Sequence, residues 1–295
     1  MLISEDGDGR AGTALQVGWF CDEMMSRKVT GRASGSMMTG VSEMSANTVK
    51  EHWIQLGDEL DREGYLALPQ GLDPQGAVIV GGEMFGVPEH VRDICRRLAA
   101  EGYAALAPNY YWRHVRRPGF GYEEPEYGQA MALMKGLRTE EVLADVAAAH
   151  AVARGYTGGS GTAILGFSVG GHIAMLGATE LPFDLVVNYY GGWLLDGGIP
   201  LSDPEPPVTK SEAIAANSGF VLGFFGANDF VMSLDEWHRV GARLEAAGVA
   251  QEQVTYSQAG HGFFNDERPT YYDAEAAQDS WQRTLDALTK HVRRG

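Results

Sequence analysis

One pentapeptide in this 295-residue chain has the residue types and spacing to do chemistry, Gly166-Phe167-Ser168-Val169-Gly170. It lies between an apolar run, Thr162–Leu165, and a small-residue segment, Gly170–Ala178. A sharp strand-to-helix turn can lift a serine hydroxyl clear of a sheet only if its neighbours lack bulk, and Gly166, Gly170 and Gly171 meet that demand. The same turn aims the Val169 amide at the space in front of the hydroxyl, where a developing oxyanion would need a donor. Ser168 is therefore the candidate nucleophile.

A serine hydroxyl attacks well only when a base removes its proton and a third group holds that base in the right tautomer. Serine enzymes built on this turn run nucleophile, acid, histidine along the chain. Asp229, in Gly226-Ala227-Asn228-Asp229 directly after the apolar run Phe220–Phe225, is the candidate acid. Asp235 and Glu236 compete by proximity, but the capping box Ser233-Leu234-Asp235-Glu236 accounts for Glu236, and Asp235 fits the first helical turn. His261, in the loop Gly260-His261-Gly262-Phe263-Phe264, is the candidate base, and its flanking glycines let the ring reach inward. His291 falls on a terminal helix facing solvent, His172 one turn below Ser168 has the place of a structural histidine, and His114 lies in a long aromatic loop.

Elements must hold these three residues together. From residue 50 onward strand and helix patterns alternate. Strands are expected at His52–Leu56, Tyr65–Leu68, Ala77–Val80, Tyr103–Leu106, Thr162–Leu165, Leu185–Asn188, Phe220–Phe225 and Gln253–Tyr256. Helices are expected after Pro88, closed by Gly102; at Thr139–Arg154, stopped by Gly155; at Gly170–Ala178; after Ser233, burying Leu234, Trp237, Val240 and Leu244; and at Ala274–Val292. The pattern predicts an α/β fold, a mostly parallel sheet covered on both faces. Two long segments break the alternation, 108–137 and 190–210, and both follow strands, so both should emerge at the carboxyl edge where ligands bind. Their Tyr110, Tyr111, Trp112 and Trp193 are expected to roof a substrate pocket.

Charge and composition remove other classes. The net charge is −16, from 23 basic and 39 acidic residues, so nucleic acid and anionic lipid are poor partners. No run of 18 apolar residues spans a membrane, and no apolar stretch follows the acidic first ten residues. With only Cys21 and Cys95, a reduced, cytoplasmic chain is expected. Gly7 to Gly12 matches a dinucleotide fingerprint but has no strand before it and no helix after it, and no metal or nucleotide motif accompanies it, so no cofactor is expected. Residues 1–49 hold six methionines and no sustained period; they read as a leader, or as an arm that docks on a second copy of the chain and makes it a homo-oligomer. Residues 50–295 read as one domain.

Several separated motifs resemble the dienelactone hydrolase family over residues 50–295. They are Gly82-Glu83-Met84-Phe85-Gly86-Val87, then Arg92-Asp93, then Ala99 to Pro108, and His261-Gly262-Phe263 followed by Arg268-Pro269, Tyr272, Ala276-Ala277 and Trp281. The resemblance implies an α/β-hydrolase fold, the Met84 amide as second oxyanion donor beside Val169, and in Glu83 a glutamate that tunes the nucleophile in members with cysteine. Ser168 replaces that cysteine, and Asn265 stands where founding members carry a substrate-binding arginine four residues past the histidine. Neutral, bulky esters or lactones are therefore expected, unless Arg113, Arg116 or Arg117 restores the missing cation. The expected activity is hydrolysis of a small-molecule ester or lactone through an acyl-enzyme. The alternatives are acyl transfer or cyclisation by the same triad, and a silent ligand-binding protein.

Overall fold

Strands that are apolar at every position need cover on both faces, and the fold supplies it. The computed structural model describes residues 49–158 and 161–292. Its sheet contains β1 (Val49–Gln55), β2 (Glu63–Pro69), β3 (Ala77–Gly81), β4 (Ala104–Pro108), β5 (Thr162–Phe167), β6 (Leu185–Tyr189), β7 (Val221–Gly226) and β8 (Gln251–Tyr256). Their spatial order is β1-β2-β4-β3-β5-β6-β7-β8. β2 is antiparallel to β1 and β4, and all later pairs are parallel.

The helices are α1 (Glu89–Ala100), α2 (Glu126–Gly136), α3 (Thr139–Tyr156), α4 (Val169–Gly177), α5 (Ser211–Asn217), α6 (Leu234–Ala246) and α7 (Ala274–His291). Alternate strand residues feed two separate cores, as a period of two requires. Ile79, Ile164, Val186 and Phe225 pack with α3, α4 and α6, whereas Val78, Val80, Leu165, Val187 and Phe224 pack with α1 and α7. β3 and β5 are neighbours at which the strand order reverses, and Gly81 is paired with Gly166 at their carboxyl ends. That crevice is where ligands bind in such sheets.

All eight expected strands are present, but β1 starts three residues earlier and ends before Leu56, β4 leaves out Tyr103, and β7 is shifted by one residue to Val221–Gly226. Gly102, at φ +93°, follows α1 as expected. Gly155 does not stop α3; the helix runs on to Tyr156, and the left-handed residue that ends it is Gly158 at φ +62°. The segment 108–137 contains a helix, α2, which buries only Ala130 and Met134. Ser233 caps α6 by accepting the Glu236 amide, but the Glu236 carboxylate does not return to Ser233; it accepts the amides of Leu195 and Asp196. Leu234 is exposed rather than buried. Among the described residues no helix is long and apolar enough to cross a membrane. The expected arm at 1–49, apart from Val49, lies outside the described residues, as do Cys21 and the Gly7–Gly12 stretch.

Candidate active site

The turn between β5 and α4 forces Ser168 to φ +55°, ψ −119°, a region that side chains other than glycine rarely occupy. Neighbouring contacts over-determine it. The Ser168 amide donates to the Tyr189 carbonyl of β6, 3.0 Å away, and the Ser168 carbonyl accepts from the amides of Gly171 and His172. A Cβ on Gly166 would overlap the Gly170 carbonyl, and one on Gly170 the Gly81 carbonyl, so the glycines are there because β3 and α4 touch at the turn.

His261 reaches Ser168 from the loop after β8. Its Nε2 lies 2.8 Å from Ser168 Oγ, and its Nδ1 lies 2.8 Å from Asp229 Oδ2. Gly262 at φ +79° turns the chain directly after the ring. Asp229 Oδ1 accepts the amides of Val231 (2.7 Å) and Met232 (3.2 Å), which orients the carboxylate and leaves Oδ2 for the histidine. A carboxylate only accepts, so with a neutral imidazole Nδ1 carries the proton and Nε2 presents its lone pair to the serine hydroxyl. The three groups are almost wholly shielded from water on the acid side, with the Asp229 side chain 1% exposed.

Met84 lies on the turn after β3, beside the nucleophile turn. The Tyr111 hydroxyl donates to the Met84 carbonyl at 2.8 Å and fixes that turn. Glu83 is buried and fully occupied. Oε1 accepts from the Tyr190 hydroxyl at 3.3 Å, Oε2 accepts from Asn265 Nδ2 at 3.1 Å, and Arg268 Nη1 stands 3.7 Å away. Asn265 thus binds Glu83, a role its sequence position does not announce. Tyr190 and Arg268 complete the same cluster, and Tyr190 sits at φ +41° directly after β6.

Of the four aromatics expected to roof a substrate pocket, Tyr110 and Tyr111 border a cavity beside the turn. Glu83, Tyr110, Tyr111 and Val169 border a small cavity beside the turn, walled by Leu137 and Ile173, with room for about one water. The Tyr110 hydroxyl is buried there without a hydrogen-bond partner, and burial pushes its phenol well above the ordinary range. Trp112 and Trp193 do not border it. Trp112 donates its indole N–H to Asp145 Oδ1 at 3.0 Å and lies under the guanidinium groups of Arg62 and Arg113. Asp145 is buried on α3, and the charge and N–H it must gather explain why Trp112 turns away from the pocket. Trp193, at φ +56°, packs against the core beside Gly198.

The loop arginines are committed elsewhere too. Arg113 pairs with Asp145, and Arg116 and Arg117 both pair with Glu63, whose carboxyl the two guanidinium groups pull down to about 2. His172 has the structural position expected of it. It is fully buried, with its ring nitrogens 3.1 and 3.2 Å from the carbonyls of Gly192 and Leu201. No group of three or more His, Cys, Asp or Glu among the described residues could hold a metal ion.

A doubly covered, mostly parallel sheet with a serine on this strained turn defines an α/β-hydrolase. Comparison with known proteins narrows it. The profile of the dienelactone hydrolase family matches residues 62–292. A provisionally named carboxymethylenebutenolidase of Yersinia pestis is 38% identical over 238 residues, 80% of this chain and 85% of that protein. One from Synechocystis is 35% identical over 227 residues, 75% of this chain and 88% of that one. A crystal structure of a provisionally assigned dienelactone hydrolase from Klebsiella pneumoniae is 33% identical and superimposes with a TM-score of 0.73, covering 83% of this chain and 100% of that one. The chain belongs to the dienelactone hydrolase family, a family of ester and lactone hydrolases.

Proposed function

We propose that this protein cleaves an ester or lactone through an acyl-enzyme on Ser168. The observation that carries this reading is the pair of 2.8 Å contacts, Ser168 to His261 and His261 to Asp229, on a strained turn. Ser168 Oγ attacks the substrate carbonyl while His261 Nε2 takes the hydroxyl proton. Asp229 stabilises the imidazolium and holds its tautomer. On this reading the amides of Val169, after the nucleophile, and Met84, on the turn after β3, are the donors to the tetrahedral oxyanion. Collapse of the intermediate breaks the bond to the leaving oxygen, which receives the proton from His261. Water, deprotonated by the same histidine, then attacks the acyl-Ser168 ester; the bond from the carbonyl carbon to Ser168 Oγ breaks, Oγ takes the proton back from His261, and the acid is freed.

The substrate is neutral on this reading. Arg113 is held by Asp145, Arg116 and Arg117 share Glu63, the Arg268 charge faces Glu83, and none of the four lines the cavity beside the turn, so a substrate carboxylate there would meet no arginine. The test is turnover of a chromogenic ester by the wild type and by Ser168→Ala. Loss of orders of magnitude with an unchanged fold is expected, because triad members act as a unit. Near-full activity in the variant would refute the mechanism.

A further inference from the structure

We propose that Phe230 is the platform for the departing alcohol, and that it makes the enzyme selective for esters with flat, aromatic leaving groups. The inference rests on the triad reading above and adds the substrate's other half. His261 Nε2 must give its proton to the leaving oxygen, so that oxygen sits within hydrogen-bond reach of the imidazole, and whatever it carries extends past the ring. Two aromatic rings lie against that imidazole at the same centroid distance, 5.2 Å: Tyr190 and Phe230. Tyr190 is 1% exposed and its hydroxyl is held by Glu83, so its ring is closed to a ligand. Phe230 is 41% exposed, one of few large apolar side chains on the surface of the described residues. The accessible aromatic neighbour of the general acid is therefore Phe230.

The platform is braced from behind. Tyr271 lies 6.3 Å from Phe230, and the Arg268 guanidinium stands 4.2 Å over the Tyr271 ring. Phe230 follows Asp229 directly, and the backbone between Asp229 and Met232 is pinned by the bonds from Asp229 Oδ1. The Phe230 backbone is thereby held beside the acid. An exposed phenyl ring so anchored offers a leaving group edge-to-face or offset contact in the acylation transition state and nothing afterwards, since the alcohol has gone. A small lactone keeps its leaving oxygen tethered to the acyl part and cannot extend onto the ring.

The experiment compares phenyl and methyl esters of one acid with the wild type, Phe230→Ala and Phe230→Tyr. kcat/KM reports the steps up to acylation, in which the alcohol is present; single-turnover decay of the common acyl-enzyme reports deacylation, in which it is absent. Phe230→Ala should lower kcat/KM for the phenyl ester about threefold to tenfold. The methyl ester and the deacylation rate should change less than about twofold, and Phe230→Tyr should restore the phenyl ester. Equal loss on both esters, or slower deacylation, would show that Phe230 merely supports Asp229 and would overturn the proposal. So would unchanged selectivity. Absence of any Ser168-dependent turnover in the wild type would instead overturn the triad reading, and this inference with it.

Discussion

Replacing Asp229 by asparagine probes the proposed triad more sharply than deleting it, because the fold dictates which way the amide must lie. In the native site Oδ1 accepts two backbone amides, from Val231 at 2.7 Å and Met232 at 3.2 Å, while Oδ2 accepts from His261 Nδ1. An asparagine has one acceptor oxygen and one NH2 group. If the NH2 faced Val231 and Met232, two buried amide donors would meet a third donor and lose their partners, a cost of about 1–3 kcal/mol for each unsatisfied group. The oxygen must therefore keep the Oδ1 place. That forces the NH2 towards His261 Nδ1, which can accept it only as a bare nitrogen. The imidazole proton then moves to Nε2, which becomes a donor to Ser168 Oγ and cannot take its proton. The expected consequence is a fall in kcat of about 10⁴, the size seen when other serine triads are locked in the wrong tautomer. That corresponds to about 5.4 kcal/mol of transition-state stabilisation. KM and thermal stability should change little, since both turn-closing bonds survive. Steady-state kinetics on a chromogenic ester with parallel thermal melts checks both halves. An Asp229→Asn variant within tenfold of wild-type kcat would refute the tautomer argument, and a large loss of melting temperature would show that the amide took the other orientation.

Three further outcomes follow from the same geometry. Tyr111→Phe removes the donor to the Met84 carbonyl and should lower kcat about tenfold with little change in KM, part of the about 10²–10³ that a whole oxyanion donor carries; unchanged kcat would mean that Met84 is not a donor or needs no such support. A neutral aryl ester should exceed its carboxylated analogue in kcat/KM, and a preference for the carboxylated one that vanishes in Arg268→Gln would show that Arg268 releases Glu83 to bind anions. Burial pushes the His172 imidazole below the ordinary histidine range, so the unfolded chain binds a proton that the folded chain resists. Its contribution is complete above about pH 6.5 and is lost as pH falls towards the lower folded value, so His172→Gln should flatten the acid decline of stability, by up to about 1.4 kcal/mol per pH unit; parallel curves for variant and wild type would contradict this.

The sequence carried the frame and the three catalytic candidates because each announces itself locally. Val78, Ile79 and Val80 are consecutive apolar residues that only a doubly covered strand can bury, and Gly166 and Gly170 are needed wherever β3 and α4 meet across a serine. Glu83, Asn265, Tyr190 and Arg268 form one cluster from three separate parts of the chain, and no local spacing announces such a contact. Trp112 was expected over the pocket because its loop leaves the carboxyl edge of β4. Asp145, 33 residues later on α3, claims its indole instead. Glu236 is a similar case, since three-residue spacing from Ser233 predicts its cap whereas the amides of Leu195 and Asp196 hold its carboxylate. α2 escaped notice because its few buried residues, Ala130 and Met134, make too thin a stripe to read as a period.

The central claim is that Ser168 forms a covalent acyl intermediate. Intact-mass and peptide mass spectrometry after treatment with a fluorophosphonate, an acylation mimic that reacts with activated serines, tests it most directly. One adduct per chain is expected, on the peptide carrying Ser168, with none in Ser168→Ala and almost none in His261→Ala. Labelling of another serine, or an adduct that persists in Ser168→Ala, would contradict the account.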